Sequence, residues 1–411
     1  MKKLLVIGHT FPEPSTTAAG NRMMQLLALF QEEDYTIIFA SSASISERSV
    51  PLNSLGIEMV EIKLNHSSFD EFITQLQPTI VLFDRYITEE QFGWRVSEKC
   101  SDALKILDTE DLHFLRKARE EAVKNNIPLE KANLFTDIAK RELASILRSD
   151  ISLIISEVEM ELLEEKFQIP SDILFYLPFL IEFSSVDISL LPSFEERSNF
   201  ITIGNLLHTP NIDSVLFLKK EIWPLVKKQL PKAELHIYGA YAPQHILELH
   251  NLKEGFILKG WTSDVKEAMK HSKVCLAPLR FGAGLKGKFV DAMQTGTPSV
   301  TTPIGGEGLY GELPFSGSIE NEPLKIVEAA IELYANKKIF TEAQQNGFKI
   351  LENRFQKKIF SDTFKNRILF ILKNLQGHRE TNFISQILQH QSLQSTKYMS
   401  KWIETKNKSN S

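Results

Sequence analysis

The stretch Ala277-Pro278-Leu279-Arg280-Phe281-Gly282-Ala283-Gly284-Leu285-Lys286-Gly287-Lys288-Phe289-Val290-Asp291-Ala292-Met293 gathers glycines and cations between an apolar run and an amphipathic one. Glycine lets backbone approach a ligand closely, and the first turn of a helix offers unpaired N–H groups to an anion. Lys286 and Lys288 at such a helix start oppose the helix dipole, which favours acids there. An anion such as a diphosphate, seated between the lysines and the helix end, removes that conflict. The glycine spacing fits neither a Walker loop nor the dinucleotide fingerprint. Asp291, about one and a half turns further on, can accept two hydrogen bonds from a vicinal diol such as a ribose. Read alone, it is equally an acid favoured by the helix dipole.

Such a loop needs a strand to end before it and a helix to start after it. Short β-branched runs at 4–7, 36–40, 80–83, 104–107 and 151–155 alternate with helical patterns at 21–30, 89–99 and 111–124. The rhythm restarts with strands at 200–203, 234–238, 255–258, 274–277 and 299–302, separated by helices at 213–228, 242–250, 263–271 and 285–294. Strands alternating with helices predict parallel sheets covered on both faces, here as two doubly wound α/β lobes. Ligands of such folds lie beyond the carboxyl ends of the strands, in this chain between the lobes. The expected division is 1–185 for the first lobe, a linker, 199–350 for the second, 351–376 as a helix returning to the first, and a helical or frayed tail over 377–411.

The 411 residues carry 47 Lys and Arg against 52 Asp and Glu, a net charge of −5, which excludes a protein that coats nucleic acid. Cys100 and Cys275 form no metal-ligand or disulfide pattern, so a reducing compartment is expected and no metal. The apolar run after Met1-Lys2-Lys3 is too short for a signal peptide, and no stretch is long enough to span a bilayer. The expected location is the cytoplasm.

Further residues give the loop a context. Asp291-Ala292-Met293-Gln294-Thr295-Gly296-Thr297-Pro298-Ser299-Val300 is followed by Gly305-Gly306-Glu307-Gly308. Upstream lie Phe200-Ile201-Thr202-Ile203-Gly204-Asn205 with His208-Thr209-Pro210-Asn211, then Ile222-Trp223-Pro224, Pro231 through Gly239, and Gly260-Trp261 with Asp264. In that order they resemble the retaining glycosyltransferases of family four, the glycosyl transferases group 1, which have the two-lobed GT-B fold. In the first lobe Gly20-Asn21-Arg22, Leu107 through Leu115 and Ile155-Ser156-Glu157-Val158-Glu159 resemble the family's acceptor-side segments.

The resemblance implies a nucleotide diphosphate sugar as donor substrate, with no cofactor. Gly204, Asn205, Arg280, Gly282, Gly284, Leu285, Lys286, Gly287, Lys288 and Asp291 would hold it. His113 would approach the reacting sugar, with Lys286 and Lys288 meeting the leaving diphosphate. His9, Gly20, Asn21 and Arg22 would face the acceptor, a glycan or lipid-linked hydroxyl. The family brackets its donor with two glutamates; here the first position is Ala283 and the second Asp291. Two other readings are a nucleotide-sugar epimerase and a non-catalytic partner subunit. In the tail, Phe383, Ile384, Ile387 and Leu388 precede lysines at 397, 401, 406 and 408. Packing on a lobe is the favoured reading, and a peripheral membrane contact at the inner face of the membrane is the other.

Overall fold

The computed structural model describes residues 2–185 and 187–390, with positions 398 and 402 of the tail. The first sheet has seven strands: β1 (Lys3–Gly8), β2 (Thr36–Ser41), β3 (Glu58–Glu61), β4 (Ile80–Asp84), β5 (Leu104–Asp108), β6 (Ile151–Ile154) and β7 (Leu174–Tyr176). Their order is β3-β2-β1-β4-β5-β6-β7, and every pairing is parallel. β4 and β5 are buried along their whole length, which is why their sequences read as unbroken apolar runs. The pleat of β1 sorts its side chains. Leu4 and Val6 pack with Leu26 and Phe30 on one face; Leu5 and Ile7 pack with Phe69 and Phe92 on the other. Each such side chain contributes about 1.5–3 kcal/mol.

The second sheet has six parallel strands: β8 (Ser198–Ile203), β9 (Leu235–Tyr238), β10 (Phe256–Gly260), β11 (Ser272–Leu276), β12 (Ser299–Thr301) and β13 (Gly317–Ile319). Their order is β10-β9-β8-β11-β12-β13. Both sheets therefore reverse direction of growth beside their first strand, between β1 and β4 and between β8 and β11. These are the switch points where loops part and leave room for a ligand. The architecture is the two-lobed α/β one that the strand rhythm implies.

Two helical expectations need correction. The expected boundary between 350 and 351 falls inside a helix, Lys337–Arg354, and the returning helix is Lys357–Lys373. The break at Phe355-Gln356 pairs with the end of the first lobe just before the linker: Ile181 N donates to Phe355 O at 2.7 Å and Lys357 N to Ile181 O at 2.9 Å. The chain then crosses to the first lobe, where Phe364 sits 5.7 Å from the Phe30 ring, and Ile368 and Ile371 join the same core. The helix expected at 213–228 passes through a π-turn over Leu218–Ile222 before Trp223–Gln229.

The tail docks on the first lobe through polar groups. His378 Nε2 lies 2.7 Å from Asp150 O, Arg379 pairs with the Asp150 carboxylate at 2.7 Å, and Asn382 Nδ2 donates to Leu147 O at 3.1 Å. Phe383, Ile384 and Ile387 point outward. The tail lysines at 397, 401, 406 and 408 lie outside the described residues. Among the described residues no helix is long and apolar enough to cross a membrane.

Candidate functional site

The strand ends of the two sheets face each other across a cleft of about 580 Å³, a size suited to a small-molecule ligand. The second lobe's wall is built from the loop after β11 and the helix Gly287–Gln294. Lys288, in that helix's first turn, donates to Asn211 Oδ1 at 2.8 Å, while Asn211 Nδ2 donates to Asn205 O at 2.9 Å. Asn211 thus ties the loop after β8 to the lysine. Burial pushes the Lys288 ammonium down to about 8 and the Asp291 carboxyl up to about 6.

Lys286 is the residue before the helix, not part of its first turn. Its ammonium donates to Gly284 O at 2.8 Å and lies 3.8 Å from Glu307. Burial lowers its pKa, and Glu307 opposes that shift. Glu307 comes from the glycine-rich turn after β12 and receives two hydrogen bonds from Arg119 of the first lobe, at 2.7 and 2.8 Å. Arg119 also donates to Gly282 O at 2.9 Å. A second tie between the lobes is the carboxylate of Glu159, which accepts from Leu112 N at 2.9 Å and Gly284 N at 2.8 Å. Burial and the Asp111 charge push Glu159 up to about 8, against those amides and Lys286. Gly284 adopts φ +61°, and a Cβ there would stand 2.8 Å from Asp111 Cβ, so only glycine lets the loop reach the first lobe.

The first lobe's wall carries His9 after β1, Arg85 after β4, and Glu110, Asp111 and His113 after β5. His113 opens the helix His113–Lys124, whose first amides are capped from outside: Glu142 accepts from His113 N at 3.0 Å and from Phe114 N at 2.8 Å. The His113 ring, edge-on to Tyr86, has Nδ1 3.2 Å from Asp111 O and 3.3 Å from Glu142. Burial raises the Asp111 carboxyl, but Arg116, His113 and His208 outweigh it and hold Asp111 well below the usual range. His9 is lowered by burial and Arg85.

The cleft brings together His9, Asn21, His113, Gly204, Asn205, Gly282, Leu285, Lys286, Gly287, Lys288 and Asp291. It does not bring Gly20, Arg22, Arg280 or Gly284. Arg22 is 1% exposed, pairs with Asp108 at 2.8 Å and donates to Leu177 O at 2.6 Å, which makes it a core ion pair. Gly20 packs on the backbone of Glu13, where a Cβ would meet an atom at 2.5 Å. Arg280 turns away to Asp213, across the Phe217 ring. The Gly284 amide is spent on Glu159.

Arg85 was not singled out in the sequence, and Glu110, Glu159, His208 and Trp261 were quoted only within resembling segments without a role of their own; all but Glu159 line the cleft. A charged residue within two positions of a buried strand's end was the available signal for Arg85 and Glu110. At Ala283, where the resemblance places a glutamate, the side chain packs into the first lobe's core.

Residues 197–336 match the model of the family described as Glycosyl transferases group 1. A curated relative, an uncharacterized 44.6 kDa protein in the cps region of Klebsiella pneumoniae, is 26% identical over 175 residues, 41% of this chain. The match spans 45% of that protein's length. Among solved structures, a mutant of S. aureus TarM in complex with fondaparinux, alpha-GlcNAc-glycerol and UDP is similar with a TM-score of 0.68. It is 11% identical, and the match covers 89% of this chain and 99% of that one. Anabaena Alr3699/HepE in complex with UDP and glucose gives a TM-score of 0.65 at 11% identity, over 90% of this chain and 99% of that one. Sucrose-phosphate synthase from Thermosynechococcus elongatus gives 0.65 at 13% identity, over 90% and 99%. The chain has the GT-B fold, and the match to the glycosyl transferases group 1 model lies within its second lobe.

Proposed function

We propose that the protein transfers a sugar from a nucleoside diphosphate sugar to an acceptor hydroxyl, with retention of configuration and without a metal. The observation that carries this reading is the second lobe's wall, where Lys288, the amide end of the helix Gly287–Gln294 and Asp291 line one cleft at a switch point. The barrier of such a transfer falls when negative charge growing on the leaving diphosphate is stabilised. Lys288, with the amides that open the helix, supplies that charge, and Asp291 is suited to the ribose diol. Lys286 acts from behind the loop, in contact with Gly284 O and Glu307. In a retaining transfer the leaving phosphate takes the acceptor's proton, so no protein nucleophile is required. His113 faces the reacting sugar from the other wall.

The groups named with the neighbouring structures, UDP with glucose and with a GlcNAc-glycerol, support a nucleotide-sugar donor. The cps-region relative supports an acceptor in cell-envelope polysaccharide assembly. Work at the inner face of the membrane follows from a lipid-linked acceptor. Incubating the protein with a panel of nucleotide sugars and a glycan acceptor, and measuring nucleoside diphosphate release, tests the reading. Release from none of them removes it.

A further inference from the structure

β4 and β5 are neighbours, with Asp84 paired in register to Asp108. The chain leaves each strand through a left-handed residue that is not glycine: Arg85 at φ +71° and Glu110 at φ +63°. Each such backbone costs roughly 1–3 kcal/mol and persists only where its surroundings hold it. Both side chains line the cleft. The acids around them are matched: Asp108 by Arg22 at 2.8 Å, and Asp111 by Arg116. Glu110 and Asp84 are not matched in this way. Among the described residues Glu110 Oε1 is buried with no hydrogen-bond partner, and so is Oδ1 of Asp84, a residue only 5% exposed. Arg85 Nε approaches Asp84 Oδ1 no closer than 3.5 Å. Leaving such an oxygen unmade costs about 1–3 kcal/mol, a cost that a ligand donor removes.

We infer that Glu110, with Arg85 beside it, binds a hydroxyl of the acceptor, and that the acceptor's reacting end is an uncharged polyol. This rests on the transfer reading above. The position is on the first lobe's wall, across the cleft from Lys288 and Asp291, as an acceptor residue must be. A protonated carboxyl both donates and accepts, the complement of a hydroxyl. Burial and the charges of Asp108 and Asp84 raise the Glu110 carboxyl well above the usual range. A phosphate there would meet Asp84, whose buried Oδ1 has no hydrogen-bond partner and whose nearest ion-pair contact is Arg85 Nε at 3.5 Å. A hydroxyl meets no such opposition.

The test uses the full chain with methyl glycosides and glycerol as neutral probes, and glycose phosphates and glycerol phosphate as charged ones. Binding is read by saturation-transfer NMR, and turnover by nucleoside diphosphate release. The parent should bind and use neutral probes at least tenfold better than their phosphates. Glu110→Ala should lower neutral-probe binding and acceptor-stimulated release at least tenfold. Glu110→Gln, which keeps a donor and an acceptor, should restore most of both. Thermal melting followed by circular dichroism confirms that each variant folds. If Glu110→Ala does not fold, Glu110→Gln and the parent's neutral-to-phosphate ratio decide. Equal behaviour of parent and Glu110→Ala, a preference for phosphates, or no binding of any neutral probe overturns the inference. Neutral-probe binding that depends on Glu110, in a protein that neither binds nor releases a nucleoside diphosphate, sinks the transfer reading and leaves this one standing.

Discussion

The two lobes share a topology and have opposite walls. Both sheets branch at the same place, β1 against β4 and β8 against β11, and both aim that place at the cleft. The second lobe answers with glycines, helix amides and lysines; the first answers with carboxylates, two of which, Asp108 and Asp111, are locked in ion pairs. Arg22–Asp108 and Arg116–Asp111 are fixed by charge, whereas the second lobe's loop is fixed by contacts from across the cleft, Arg119 to Gly282 and Glu307, and Glu159 to Gly284. Topology sets where a site lies, and the loop residues set its sign. The first wall is fixed within its own lobe, whereas the second wall's loop takes its position from both lobes.

Four substitutions can break or sharpen this contrast. The largest effect is expected at Arg22→Ala, which leaves Asp108 buried without its cation; urea unfolding should report a loss of about 3–5 kcal/mol. Lys288→Ala should weaken nucleoside diphosphate binding at least tenfold by calorimetry, since a charge-assisted hydrogen bond is worth about 1.5–3 kcal/mol. The same lysine gives a pH signature. Its ammonium is lost as pH rises through about 8, so the parent's affinity should fall above that pH while that of Lys288→Ala stays flat across it. Arg119→Ala should reduce affinity a few-fold and increase the radius of gyration in small-angle scattering, because only the cross-cleft tie is cut. A scattering curve identical to the parent's would mean that the Glu159–Gly284 tie is enough to keep the second lobe's loop against the first lobe. Arg280→Ala should change affinity less than twofold, as its partner is Asp213 on the lobe's surface and such pairs contribute about 0–1 kcal/mol. A loss comparable to that of Lys288→Ala would return Arg280 to the cleft.

The strands flanking the first switch point were legible because they are buried on both faces, as in Lys3–Gly8 and Ile80–Asp84. The edge strands Glu58–Glu61 and Gly317–Ile319 were not, since an edge strand can be short and polar. Lys288 and Asp291 stood out because their chemistry conflicts with, or suits, the helix that carries them. Arg22 misled for the opposite reason. Its partner, Asp108, is 86 positions away, and nothing local distinguishes an arginine that meets a ligand from one that meets a core acid. Arg280 misled likewise through Asp213. Glu110 sat in plain view within Leu107 through Leu115, but its significance lies in an oxygen left without a partner, which only three dimensions reveal. The returning helix was placed from 351, and the break at Phe355 went unread because the helices on either side of it both keep apolar spacing.

That break has a mechanical consequence. The chain passes between the lobes twice, and the passages are joined where Ile181 bridges Phe355 and Lys357. A protease that cut the linker between the lobes would therefore not set them adrift. The second lobe would stay leashed through the helix Lys357–Lys373, clasped in the first lobe's core beside Phe30. Two adjacent leads also behave as a strap hinge rather than a swivel: they bend readily about one axis and resist rotation about the other. The two crossings lie side by side, so they join the lobes along one edge of the cleft and hold the two walls in register there.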